Sequence, residues 1–152
     1  MANAQPSGHD AAAPMAPARP ARARAHRAPA GPGALVMSSR GLAGDRIVDR
    51  RGEELGLLEH IMIDVASGCV AYGVLARGGV FGLGATLFAI PWEALTLDAA
   101  RQCFVLGVER ERLDRARGFD RDRWPAMADP AWAAEVHAHY GRAPYWAQPR
   151  ER

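Results

Sequence analysis

From Val36 onward the chain alternates between short apolar runs and small clusters of turn residues. "DRIVDRRGEELG" reads as a strand, a turn at Arg51-Gly52 and a second strand. "LLEHIMID" is a strand in which Ile61 and Ile63 share one face. "DVASGC" is a turn built on Asp64, Ser67 and Gly68, residues that accept turn geometry. "CVAYGVLA", rich in β-branched and aromatic residues, is the partner strand. Only a short loop separates these two runs, which predicts an antiparallel hairpin. "RGGVFGLGA" is a glycine-rich loop, and "TLFAIPW" is a strand ended by Pro91. "EALTLDAA" is a brief turn or helix leading into a further strand, "QCFVLGV". About six short strands at close spacing, with no long helix among them, predict a mainly β chain folded as a small closed barrel. Closure would remove the exposed edges that a lone meander leaves.

The pattern changes at both ends. After the strands, "ERERLDRARGFDRDR" carries Glu111 and Arg115 four apart, in the favoured order for a helical ion pair. It reads as a solvated helix. Further on, Asp129 followed by Pro130 is a helix start, an N-cap carboxylate and then proline at the first helical position. Trp132, Val136 and Tyr140 recur every four residues, and Gly141 supplies the stop. Three of the four Trp lie in this last stretch (Trp124, Trp132, Trp146), with Tyr140 and Tyr145 beside them. Such aromatics must bury against something, and the chain's own barrel is the preferred cover. A partner groove or dimer face is the alternative. It makes Trp124, Trp132, Tyr140, Tyr145 and Trp146 the candidate interaction surface. The first 36 residues are dominated by Ala, Pro, Arg and Gly without apolar periodicity, which predicts a disordered tail. The expected organisation is a tail over 1–36, a barrel over 37–117, and a C-terminal helix with aromatic extension over 118–152.

Length and charge sharpen this. A chain of 152 residues, 49% apolar, fits one domain with tails. All 19 basic residues are Arg. Arg19, Arg22, Arg24 and Arg27 fall in the tail against one acid, Asp10, so the basic balance belongs to the tail and the folded part is close to neutral. That argues against a nucleic-acid footprint on the domain. Cys69 and Cys103 sit in apolar runs with no CxxC pairing and read as buried thiols rather than a disulfide or a zinc site. No apolar run reaches the ~18 residues of a membrane helix, and no secretory h-region opens the chain. The expectation is a cytoplasmic protein.

Candidate chemistry is sparse. "GGVFGLGA" invites phosphate, but a strand rather than a helix N-terminus follows it, so its glycines read as a tight bend with close backbone approach. His137 and His139 are two apart and diverge on a helix, while Glu135 and His139 alone make a poor metal site. Ser38, Ser39 and Ser67 lack a His-acid arrangement, and Cys69 has no basic neighbour to activate it. Neither an enzyme, a cofactor, a metal nor a small-molecule ligand is implied.

One resemblance joins these pieces. The run Gly52–Leu95 contains "GEELG", Ile63-Asp64 before the Ser67-Gly68 turn, Val70-Ala71-Tyr72, the glycine loop and "FAIPW". In that order it resembles the PRC-barrel domain, named for the cytoplasmic part of the photosynthetic reaction-centre H subunit. The stretch from Phe104 to Trp146 is similar to the extension of stand-alone bacterial members. The resemblance implies a compact barrel and a non-catalytic assembly or adaptor role with a protein partner or self-association. It carries no catalytic residues. Two narrower roles come with the family, support of electron and proton transfer at a membrane reaction centre, and docking in ribosome assembly. The chain shows neither the H subunit's transmembrane helix nor the second barrel of the ribosome factor, so the stand-alone type fits best.

Overall fold

The structure is a computed structural model and describes residues 36–80 and 83–147. The expected N-terminal tail therefore lies almost wholly outside the described residues. Six strands form one sheet: β1 Arg46–Val48, β2 Glu54–Asp64, β3 Cys69–Arg77, β4 Thr86–Pro91, β5 Leu95–Asp98 and β6 Cys103–Leu106. Their spatial order is β4-β3-β2-β1-β6-β5. All neighbours are antiparallel except β1 and β6, which pair in parallel, Ile47 opposite Phe104. The mainly β class and the strand number follow the sequence. The sheet curls into a half-barrel rather than the closed barrel expected, with β4 and β5 at its two ends. These two strands are joined directly by a single 3-10 turn, Trp92–Ala94, which turns the chain from one end of the sheet to the other.

The β2–β3 hairpin is the long element. Its turn is fixed by Asp64, whose carboxylate accepts the N–H groups of Ala66 and Ser67, and by Gly68 at φ 71°. Two bulges break the register, one around Glu59 on β2 and one around Ala71 on β3, and bulges bend and twist a sheet. Gly56 is required where β2 crosses β3. A Cβ there would lie 2.3 Å from the Ala76 carbonyl oxygen. The glycine loop between β3 and β4 is also a packing device. Val80 and Leu83 exchange backbone hydrogen bonds, and a Cβ at Gly79 would meet the Leu83 carbonyl at 2.6 Å.

Residue alternation gives the sheet two apolar faces. Ile47, Leu58, Leu75, Ile90, Phe104 and Leu106 fill the inside of the curl. Tyr72, Ala71 and Ala89 point to the other face and form a second cluster. Ile61 packs on the first cluster, but Ile63 next to the turn is 52% exposed.

Three sequence expectations are corrected. "EALTLDAA" is not merely a turn or helix, since Leu95–Asp98 is strand β5. Flanking Glu and Ala masked a four-residue alternation that gains its partner only in the sheet. The charged run makes a helix of five residues, α2 (Arg110–Asp114), after the single turn α1 at Ser39–Leu42. Its local pair is Arg110 with Asp114 at 3.9 Å rather than Glu111 with Arg115, and its shorter pairs are long-range. Arg110 meets Glu53 at 2.9 Å and Arg77 meets Asp114 at 2.6 Å. Finally, Cys103 is buried as expected, but Cys69 is only half-buried.

Helix α3 (Pro130–His139) begins as predicted, with the Asp129 carboxylate accepting the Ala131 N–H. It ends in a left-handed glycine, Gly141 at φ 62°. Arg142 N–H reaches the His137 carbonyl and Gly141 N–H the Ala138 carbonyl, the paired bonds of a Schellman stop.

Candidate functional site

The C-terminal extension covers the second face of the sheet, and Tyr72 on β3 is its centre. The Tyr72 ring is buried and meets Trp132 edge-on at 5.4 Å, His137 at 5.5 Å and Tyr145 edge-on at 6.2 Å. Trp146 closes over His137 at 5.4 Å. Edge-to-face pairs of this kind contribute about 0.5–1.5 kcal/mol beyond their burial. Towards β2, Trp124 packs on His60 and Phe119, each at 5.2 Å, and its indole N–H donates to the Arg121 carbonyl. Arg121 in turn forks onto Glu59, the bulged residue of β2, at 2.6 and 2.8 Å. Phe119 bridges Leu87 through paired backbone hydrogen bonds and so covers the edge of β4. The chain end is tied back as well, since Arg142 and Arg50 both donate to the Gly107 carbonyl.

The five aromatic residues singled out from the sequence divide. Tyr140 is 2% exposed and belongs to the core inside the curl, so it is not part of an accessible surface. Helical periodicity put it on one stripe with Trp132 and Val136. The stripe is indeed turned inward, and it runs from the outer cluster at Trp132 to the inner one at Tyr140. Trp132 and Tyr145 are half-buried against Tyr72. Trp124 and Trp146 remain exposed by 39% and 49%. The β2–β3 turn, beside a groove that Tyr145 also lines, presents Val65, 91% exposed, and Ile63.

Sequence reasoning missed His137. It is 1% exposed, and neither ring nitrogen has a hydrogen-bond partner among the described residues. Burial holds its pKa below the usual imidazole value. The i,i+2 spacing correctly separates it from His139, whose ring contacts the Arg112 carbonyl instead. No local signal marked it as the buried one, because that depends on which face the sheet covers. Tyr72 is pushed up to about 12, by burial first and then by the negative charge that Tyr145 and Glu93 can carry. The Tyr145 hydroxyl faces the Asp64 carboxylate, linking the extension to the hairpin turn. Hydrogen bonds from Ser67, its side chain foremost, and from Tyr145 hold the Asp64 carboxyl below its ordinary value.

Two open grooves flank this layer. One, of about 460 Å³, lies beside the hairpin turn between Met62, Ile63, Val65 and Met127, with Tyr72 and Tyr145 behind. The other, of about 250 Å³, lies between α3 and the segment after α2. Its floor is Phe119, Trp132 and Val136, and its rim carries Arg115, Arg117 and Glu135. Sequence reading did not find it, since "RARG" looked like one more solvated face.

Curled sheet and aromatic cover together define a small half-barrel β module whose accessible features are surfaces and grooves. Residues 36–106 match the family model of the PRC-barrel domain, and the chain carries that domain. The match ends with β6, so α2, α3 and the aromatic cover all follow it. No curated protein matches the chain. Among the described residues no helix is long and apolar enough to cross a membrane.

Proposed function

We propose that this PRC-barrel protein is a non-catalytic docking module that works in the cytoplasm through a protein partner. The observation that carries the reading is the incomplete burial of the aromatic cover. Trp124 and Trp146 stay exposed, as do Val65 and Ile63, whereas Trp132 and Tyr140 turn inward. Exposed Trp and aliphatic side chains are the usual composition of a protein-binding patch. Asp64 is held on its turn and Arg121 on Glu59, so these two charged groups fix the cover in place.

A photo-reactive amino acid at position 146 or 124 of the full chain, cross-linked in cells, tests the reading. The expected result is a defined protein adduct, identified by mass spectrometry, that is lost when Val65 and Ile63 are changed to Ser. Absence of any adduct at both positions would remove the proposal. Fractionation of the same cells tests the compartment, with the chain expected in the cytosolic fraction.

A further inference from the structure

Arg115 and Arg117 differ from the arginines around them. Arg77, Arg110 and Arg121 each close an ion pair, and Arg112 donates to the His139 carbonyl. The guanidinium groups of Arg115 and Arg117 make no ion pair or hydrogen bond among the described residues, yet both rim one apolar groove. Unpaired arginine beside a half-buried Trp and Phe is a site for a carboxylate attached to an apolar group. We infer that this groove receives an acidic peptide segment of the partner, one apolar side chain seated on Trp132 and Val136 and flanking carboxylates on Arg115 and Arg117. The inference rests on the docking function proposed above and adds the partner's chemistry and the place it binds.

Size and charge select this occupant. The groove's 250 Å³ falls below the ~300–1,000 Å³ of small-molecule pockets and suits a single anchor side chain of a longer segment. The chain's own N-terminal arm has the wrong sign, since residues 1–36 carry four Arg against one acid. A second copy is a poor match as well. Among the described residues its most exposed apolar side chain, Val65, has Asp64 beside it, but that carboxylate is already bonded to Ala66 and Ser67. Glu135 on the rim opposes an acidic ligand and sets the sign of one variant.

The test is selection of displayed dodecapeptides against the full chain, followed by titration of the best peptide by fluorescence anisotropy. Enrichment of Leu or Phe flanked by Asp and Glu is expected. Reversing both charges with R115E and R117E should weaken binding on the order of tenfold. The variant E135Q should strengthen it by about twofold. All three positions are exposed, so unchanged melting confirms that the variants fold. Selection of neutral or basic peptides, or binding indifferent to both arginines, would overturn the inference. So would self-association abolished by R115E and R117E without peptide binding, which would assign the groove to a second copy. If cross-linking at Trp146 still captures a partner while the peptide result fails, only the groove assignment falls and the docking function stands.

Discussion

Two residues show how differently single positions are constrained. Gly56 sits where β2 passes so close to β3 that the obstructing atom is backbone, the Ala76 carbonyl, which cannot rotate away. Gly56→Ala should therefore destabilise the fold by about 2 kcal/mol, read as a lower urea midpoint at unchanged slope. His137 is constrained by solvation instead. Its imidazole is buried without a hydrogen bond among the described residues, and protonation there is disfavoured relative to the unfolded chain. The folded pKa lies below the unfolded value, so this contribution is fully present above the unfolded pKa and is lost as pH falls towards the folded one. Unfolding free energy should decline between about pH 7.5 and 5.5, a window in which Asp64 stays ionised and the facing Tyr72 and Tyr145 stay neutral. His137→Phe, which keeps a ring in the aromatic layer, should flatten that decline. An equal pH slope in the variant would show that the imidazole titrates as it does in water.

Among the elements, α3 and the segment leading to it behave as one lid. Asp129 caps the helix and Gly141 stops it, while Trp132, Val136 and His137 face the sheet. Removing everything from Trp124 onward would uncover Tyr72 and Ala89. We expect the truncated chain to melt roughly 10 °C lower, the shift that about 2–3 kcal/mol gives in a domain of this size. An unchanged melting curve would mean that the lid serves a partner and adds nothing to the barrel. The start and stop of α3 were legible because capping chemistry is local. Strand β5 was not, because four residues of weak alternation become a strand only by pairing with β6.

Across the whole molecule, the two apolar clusters are not independent. Val136 packs on both, and Tyr140 carries the lid's stripe into the inner core. Unfolding should be a single transition despite the boundary at the end of the family match. Trp92 packs on Phe104 inside the curl, whereas Trp132 reports the lid. Variants keeping only one of these indoles should give coincident denaturation curves, and an earlier lid transition would contradict the coupling.

The sequence by itself determined the strands and turns other than β5, the hairpin at Asp64–Gly68, the cap and stop of α3, and the likeness to the PRC-barrel domain. All of these rest on contacts between near neighbours or on residue types at fixed spacing. Only the tertiary structure decided that the barrel stays half open, that His137 rather than His139 is buried, and that Tyr140 leaves the candidate surface while Trp124 and Trp146 remain on it. It alone also left Arg115 and Arg117 unpaired among the described residues, over an apolar groove. Such outcomes depend on which face of the sheet the lid covers and on partners such as Glu59 for Arg121, far away in the chain. Periodicity can say that an aromatic stripe must be buried. It cannot say which of its members the cover leaves in water.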